Sequence, residues 1–448
     1  MIGLPPFLSF SENERILQLK ILMIILRTVK NISSLNIAAS VLLFLAAILA
    51  AVVANSSLSP VYQDFLLQEL HLRIGNFNLF SHGGHPLKMI EFINDCLMTV
   101  FFLAVGLEIK RELLVGELSS VRKAALPFIA ACGGMVVPVV IYALSVASGT
   151  PETRGMAIPM ATDIAFSLGV LSLLGKRVPL SLKIFLTAFA VVDDIGGILV
   201  IALFYSADVA YGYLIAAAVL YVFLYYMGKF GVTQKIFFLF FGVIIWYLFL
   251  QSGIHSTISG VILAFVIPAR PRLDAGKYIE RIRDIIGEFP VSKSDNIVLT
   301  NAQIATLKQV ERASDYVISP LQSLEDNLHG AVSFVILPLF AFANAGVVFS
   351  GSGSIVGDVS IAVAAGLLLG KFLGIYLFTW LAVKSGVALM PAGMNWKNIA
   401  GVSLLGGIGF TVSLFIANLS FADEYPELLN QAKFGVLVGT VLAGVLEI

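Results

Sequence analysis

Residues 187–201 read Thr-Ala-Phe-Ala-Val-Val-Asp-Asp-Ile-Gly-Gly-Ile-Leu-Val-Ile, so two adjacent aspartates, Asp193 and Asp194, interrupt an apolar run of membrane-helix length. A carboxylate at the centre of a membrane helix costs roughly 2.5 to 3.5 kcal/mol on insertion scales, so acids kept there mark a functional site. Asp163, in Pro-Met-Ala-Thr-Asp, and Lys371, in Leu-Leu-Leu-Gly-Lys, share this predicament. Three acids and one lysine at membrane depth point to a site for a cation and for protons.

The rest of the chain supplies the membrane. Of 448 residues 58% are hydrophobic and 12% charged, which defines an all-α polytopic membrane protein. The formal net charge is zero and no basic patch stands clear of the bilayer-flanking positions, so nucleic acid is not a partner. Cys96 and Cys132 fall inside apolar runs and read as bystander thiols. Apolar runs near 35–56, 88–109, 124–147, 156–174, 182–205, 209–228, 235–251, 254–268, 330–349, 359–383, 399–421 and 429–447 give about 12 spans. Charge checks the count: of the 28 lysines and arginines, only Arg73, Lys88, Arg154 and Lys433 fall on one face, and Lys371 lies within a span. The remainder gather on the other face, which the positive-inside rule makes cytoplasmic, with both termini inside. Residues 1–34 carry an apolar run too short to span and broken by Lys20 and Arg27, a cytoplasmic or interfacial segment.

Outside the spans, Leu-Arg-Ile-Gly-Asn-Phe-Asn-Leu-Phe at 72–80 predicts a β-hairpin on the outer face, with a second subunit as one candidate support. Residues 269–327 are the one long polar stretch, a cytoplasmic loop with an amphipathic helix near 298–317. Two stretches share a grammar, 124–205 and 359–448, each with three spans and a break in the middle one: Pro159 before Thr162-Asp163, and Gly406, Gly407 and Gly409 before Phe410. The topology makes them inverted repeats with discontinuous middle helices, an ion-transport core against interface helices from 35–123 and 206–358. Asp163 offsets the facing N-terminal ends of the broken helices, and Lys371 is a candidate to offset the C-terminal ends. Gly366, Gly370 and Gly374 place a small-residue stripe beside Lys371 that admits close backbone approach.

Consecutive helix residues point about 100° apart, so one of Asp193 and Asp194 can pair with Lys371 while the other faces an aqueous funnel. Oxygen ligands suit a hard cation, and Thr162 with loosened backbone carbonyls completes a shell for Na⁺ or Li⁺. Carboxylates this close, and partly desolvated, bind protons in competition with the cation, which makes exchange the mechanism. An exchange of two protons for one cation moves net charge. The chain is then a transporter, not an enzyme, and uses no cofactor beyond the transported Na⁺, Li⁺ and H⁺.

Thr162-Asp163-Ile-Ala-Phe-Ser-Leu-Gly-Val-Leu, Arg177-Val-Pro-Leu-Ser-Leu-Lys-Ile-Phe-Leu, Val192-Asp-Asp-Ile-Gly, Leu337-Pro-Leu-Phe-Ala-Phe-Ala-Asn-Ala-Gly and Gly407-Ile-Gly-Phe-Thr closely resemble the NhaA sodium/proton antiporters, from about residue 35 to the C-terminus. The resemblance implies the NhaA-like fold and pH-regulated export of Na⁺ or Li⁺ for incoming H⁺, by a homodimer among the lipids of the bacterial inner membrane. It implies that Asp194 is the principal ion-binding carboxylate, that Asp193 pairs with Lys371, and that Thr162 and Asp163 stand at the helix crossing. It further implies pH-sensing roles for Glu108 and Glu112 and for His255. Asp326 stands where the first of two histidines is expected, leaving His329, and the 269–327 loop is longer than expected; both bear on the pH profile. An intramembrane aspartyl protease is disfavoured, since its acids come from separate helices and neither Tyr-Asp nor Gly-x-Gly-Asp occurs. A sodium-coupled solute symporter of similar fold is the alternative, disfavoured because a sodium-only site need not keep titrating acids beside a lysine.

Overall fold

The computed structural model describes residues 37–447, apart from 75–76, 83–84, 174–177, 206–208, 271–274, 288–297, 299, 350–353 and 423. The 1–34 segment, the tip of the expected hairpin and Arg177 lie outside the described residues. Among the described residues eight helices are long and apolar enough to cross a membrane: α1 (Ile37–Ala54), α3 (Met89–Val115), α4 (Val121–Ser145), α6 (Leu180–Phe204), α7 (Tyr211–Lys229), α12 (Pro320–Asn344), α13 (Asp358–Lys384) and α16, whose apolar part is Pro426–Leu446. Two further spans are bent pairs. A 3₁₀ segment, Pro151–Met160, meets α5 (Ile164–Leu173) at 43°, and α14 (Trp396–Leu405) meets α15 (Phe410–Phe421) at 42°. With the shorter apolar helices α8 (Lys235–Leu250) and α9 (Thr257–Val266), each of the twelve apolar runs has its helix.

Some elements depart from the expected bounds. The helix expected from 330 starts at Pro320, because polar Pro320–Ala331 runs on through a π-turn at Val332–Ile336 instead of ending the loop. Elsewhere in the loop stand α10 (Ala275–Gly287) and α11 (Asn301–Val317). After the short α2 (Ser59–Leu67) the segment expected to form one hairpin holds two antiparallel strand pairs among the described residues. In the first, Arg73 faces Asn78 and Ile74 faces Phe77; in the second, Ser81 faces Pro86 and His82 faces His85.

Small residues set a close crossing. A Cβ on Gly374 would fall on the carbonyl of Gly133, and one on Gly133 would fall on that of Gly374, so α4 and α13 touch backbone to backbone. Gly370 sits in the same way on Pro138 of α4. Leu186, Phe189, Ile375, Ile399 and Leu405 fill the space among α4, α6, α13 and α14. A separate apolar cluster, with Leu107, Leu224, Phe238, Ile245 and Leu263, joins α3, α7, α8 and α9. Phe102, Phe340, Leu367 and Phe415 belong to a third cluster that ties the two groups of helices together.

Candidate functional site

The two helix breaks cross, and each supplies what the other lacks. A helix end leaves backbone donors or acceptors without intrahelical partners, which no solvent satisfies inside a membrane. The Asp163 N–H donates to the Ile408 carbonyl at 2.6 Å, the Thr162 hydroxyl to the Gly406 carbonyl at 2.9 Å and the Ser167 hydroxyl to the Leu405 carbonyl at 3.1 Å. These acceptors form the C-terminal end of α14. The Asp163 carboxylate serves two N-terminal ends at once. It accepts from the Phe166 N–H of α5 at 3.0 Å, and from the Thr411 N–H and hydroxyl of α15 at 3.1 and 2.7 Å. The acceptor oxygens of Asp163 thereby stand against the positive ends of two helix dipoles.

Lys371 enters from α13 immediately after a π-turn at Gly366–Gly370, and its side chain is fully buried. Its ammonium donates to Asp193 Oδ2 at 2.7 Å and to the Thr162 hydroxyl at 2.9 Å, and it lies 5.7 Å from the centre of the Phe189 ring. The expected contact between Lys371 and the C-terminal helix end is thus indirect. Thr162 occupies that end, because its hydroxyl can donate to Gly406 while it accepts from the lysine. Lysine gives its direct bond to a full charge. Asp193 Oδ1 is buried with no hydrogen-bond partner among the described residues.

Asp194, one residue on, points elsewhere. With Thr162, Asp163 and Thr411 it lines a cavity of about 300 Å³ that extends to Glu108, Arg111, Glu325, Asp326 and His329. Arg111 lies 4.0 Å from Glu108, 3.1 Å from Glu112 and 2.9 Å from Glu325. The structure therefore brings Glu108, Asp326 and His329 to one mouth joined to Asp194, and sets Glu112 against Arg111 beside it without lining the cavity. His255 is not among the residues that line it. It precedes α9 at the end where Ser256 bonds Asp95, whereas Lys110, beside the mouth, donates to the carbonyls of Ala264, Phe265 and Ile267 at the opposite end of α9. A larger groove of about 1030 Å³ among α4, the 3₁₀ segment, α6 and Leu419 and Ser420 of α15 is lined mainly by apolar side chains and includes none of the site acids.

Among the described residues no three His, Cys, Asp or Glu side chains are grouped to hold a metal ion, so a bound cation would be held by one or two carboxylates completed by hydroxyl and carbonyl oxygens. Three residues of the site escape sequence reasoning. Thr411 reads as one more small polar residue of an apolar helix, although it closes the Gly-Ile-Gly-Phe-Thr run. Arg111 reads as part of a solvated helix end, and Glu325 as part of a loop.

With this geometry in place, comparison with known proteins gives a consistent picture. The profile of the family described as Na⁺/H⁺ antiporter 1 matches residues 30–448. The chain is 75% identical over 424 residues to a Na⁺/H⁺ antiporter NhaA of Bacteroides thetaiotaomicron, covering 95% of this chain and 97% of that protein. It is 62% identical over 401 residues to the NhaA of Phocaeicola vulgatus, covering 89% and 90%. It is 47% identical over 430 residues to the NhaA of Porphyromonas gingivalis, covering 94% and 95%.

Proposed function

The chain belongs to the Na⁺/H⁺ antiporter 1 family, and from that premise we propose that it exports Na⁺ or Li⁺ in exchange for entering H⁺, through the crossing of its two broken helices. The observation that carries the reading is the split between neighbouring acids. Asp193 is neutralised by a buried lysine, while Asp194 lines the cavity that leads to the mouth. In this reading Asp194 is the primary ligand of the cation, Thr162 and loosened backbone oxygens complete the shell, and the Oδ1 of Asp193 is the second carboxylate oxygen. Protons and the cation compete for these oxygens, so the site carries one or the other and never both. The exchange takes two protons for one cation and is electrogenic, with the second proton held by the Asp193–Lys371 pair.

The same reading assigns the elements. Segments 124–205 and 359–448 are inverted repeats that form a moving core, and 35–123 with 206–358 form the framework it moves against. The mouth at Glu108, Arg111, Glu325, Asp326 and His329, with Glu112 paired to Arg111 beside it, faces the cytoplasm, where its titrating side chains regulate the exchange by pH. His255, away from the mouth, has a separate part in the pH response. The protein sits in the bacterial inner membrane with both termini inside, and the outer hairpins at 73–86 meet those of a second copy in a homodimer.

Calorimetric titration of Li⁺ or Na⁺ into the purified protein, in buffers of different ionisation enthalpy, tests the competition directly. Cation binding is expected to release about two protons, and Asp194→Asn is expected to abolish the heat of binding. Binding without proton release would overturn exchange and favour a sodium-coupled symporter.

A further inference from the structure

We propose that Asn344 is a positioning residue that holds the far side of the transport path shut, through a cluster of amides that ties α15 to α3 and α12. The proposal rests on the antiport reading, since it names the closure that a moving core must break. Asn344 is fully buried. Its Oδ1 accepts from the Nδ2 of Asn418 at 2.8 Å and of Asn94 at 3.3 Å, and its Nδ2 donates to Asn94 Oδ1 at 2.8 Å and to the Phe340 carbonyl at 3.0 Å. Both ends of one amide are thereby committed, and three of the bonds run between helices. Asn418 stands two turns beyond Thr411 on α15, about 10 Å from the helix crossing. Between the two levels the Phe415 ring lies 5.6 Å from that of Phe102 and 6.4 Å from that of Phe340, an apolar layer beneath the amides. A second amide supports the first: Asn430 of α16 accepts from the Val348 N–H at 3.0 Å and donates to its carbonyl at 2.8 Å, just after α12 ends.

The asymmetry along two helices gives the cluster its meaning. α3 carries Glu108 and Arg111 near one end and Asn94 near the other; α12 carries Glu325 and His329 near one end and Asn344 at the other. Both helices line a cavity at the first end; at the second, α12 is hydrogen-bonded to α15 through Asn418 and to α3 through Asn94. A core that swings to open the far side must part Asn418 from Asn344 and separate the phenylalanines. Among the described residues the buried Asn344 oxygen accepts only from the two neighbouring amides, so parting them leaves it without a partner and biases the molecule toward the state with the far side closed.

Labelling of Ala341→Cys, one turn below Asn344 and fully buried, by a membrane-impermeant maleimide on intact cells reads this bias, with Cys96 and Cys132 replaced by serine. Asn344→Leu is expected to raise the labelling rate about tenfold, the factor for loss of a few weak interhelical bonds, and Asn344→Gln to restore most of the protection. An unchanged rate in folded Asn344→Leu protein overturns the proposal. Should that variant not fold, Asn418→Ser removes a single interhelical bond, and an unchanged rate there overturns it equally. The labelling needs no ion gradient, so it stands or falls separately from exchange, which Asp194→Asn tests.

Discussion

At the scale of single residues the site is governed by one buried ion pair. Lys371 and Asp193 are both fully buried and meet at 2.7 Å. An uncompensated charge left in such a place is strongly unfavourable, whereas removing both partners is close to neutral. Lys371→Ala is therefore expected to lower stability by about 3–5 kcal/mol in thermal unfolding of the purified protein, and Lys371→Ala with Asp193→Asn to recover most of it. A double variant no more stable than the single one would show that the pair does not compensate. These two residues, with Asp163 and Asp194, were legible in the sequence because charges stand out against apolar runs. Their partners were not. Thr411 meets Asp163 from 248 positions away and Glu325 meets Arg111 from 214, and nothing local to either marks the meeting. The indirect route from Lys371 to the helix end, through Thr162, needed the crossing itself to be visible.

At the scale of elements the account turns on how closely helices approach. The α4–α13 crossing puts Lys371 within reach of Asp193 only because Gly133 and Gly374 let the two backbones touch. Gly374→Leu is expected to cost at least 1–3 kcal/mol by overpacking, and to cut the yield of monodisperse protein sharply in size-exclusion chromatography while Gly276→Leu, in open space, leaves it unchanged. A normal yield of Gly374→Leu would mean that the crossing is looser than described. The twelve runs were legible because a bilayer demands length and apolarity, and the breaks because proline and clustered glycines weaken a helix where no water compensates. The bounds were less so. α9 has only 10 residues, too few to span, and packs its glycine face on α3, where a Cβ on Gly260 would meet the Thr99 carbonyl. The start of α12 is polar because it lines the mouth, so its first turns read as loop. The second hairpin, with Pro86 in a strand, gave a pattern too short to recognise.

At the scale of the whole molecule, a charged cavity reaches Asp194 from one end, and at the other amides and rings bridge α3, α12 and α15 beside a mainly apolar groove that holds none of the site acids, with the helix crossing between them. In the proposed exchange, ions reach Asp194 from the charged cavity and the far end opens for release, with competition between protons and cation for the same oxygens tying the two movements together. The central claim is that Asp194 carries this exchange. It is tested most directly by an internal pH dye in proteoliposomes holding an imposed pH gradient, with Na⁺, Li⁺ or K⁺ added, for the wild-type protein and Asp194→Asn. The account predicts that Na⁺ and Li⁺, but not K⁺, collapse the gradient, and that Asp194→Asn abolishes the collapse. A gradient that survives Na⁺ and Li⁺ with the wild-type protein, or that still collapses with Asp194→Asn, would contradict it.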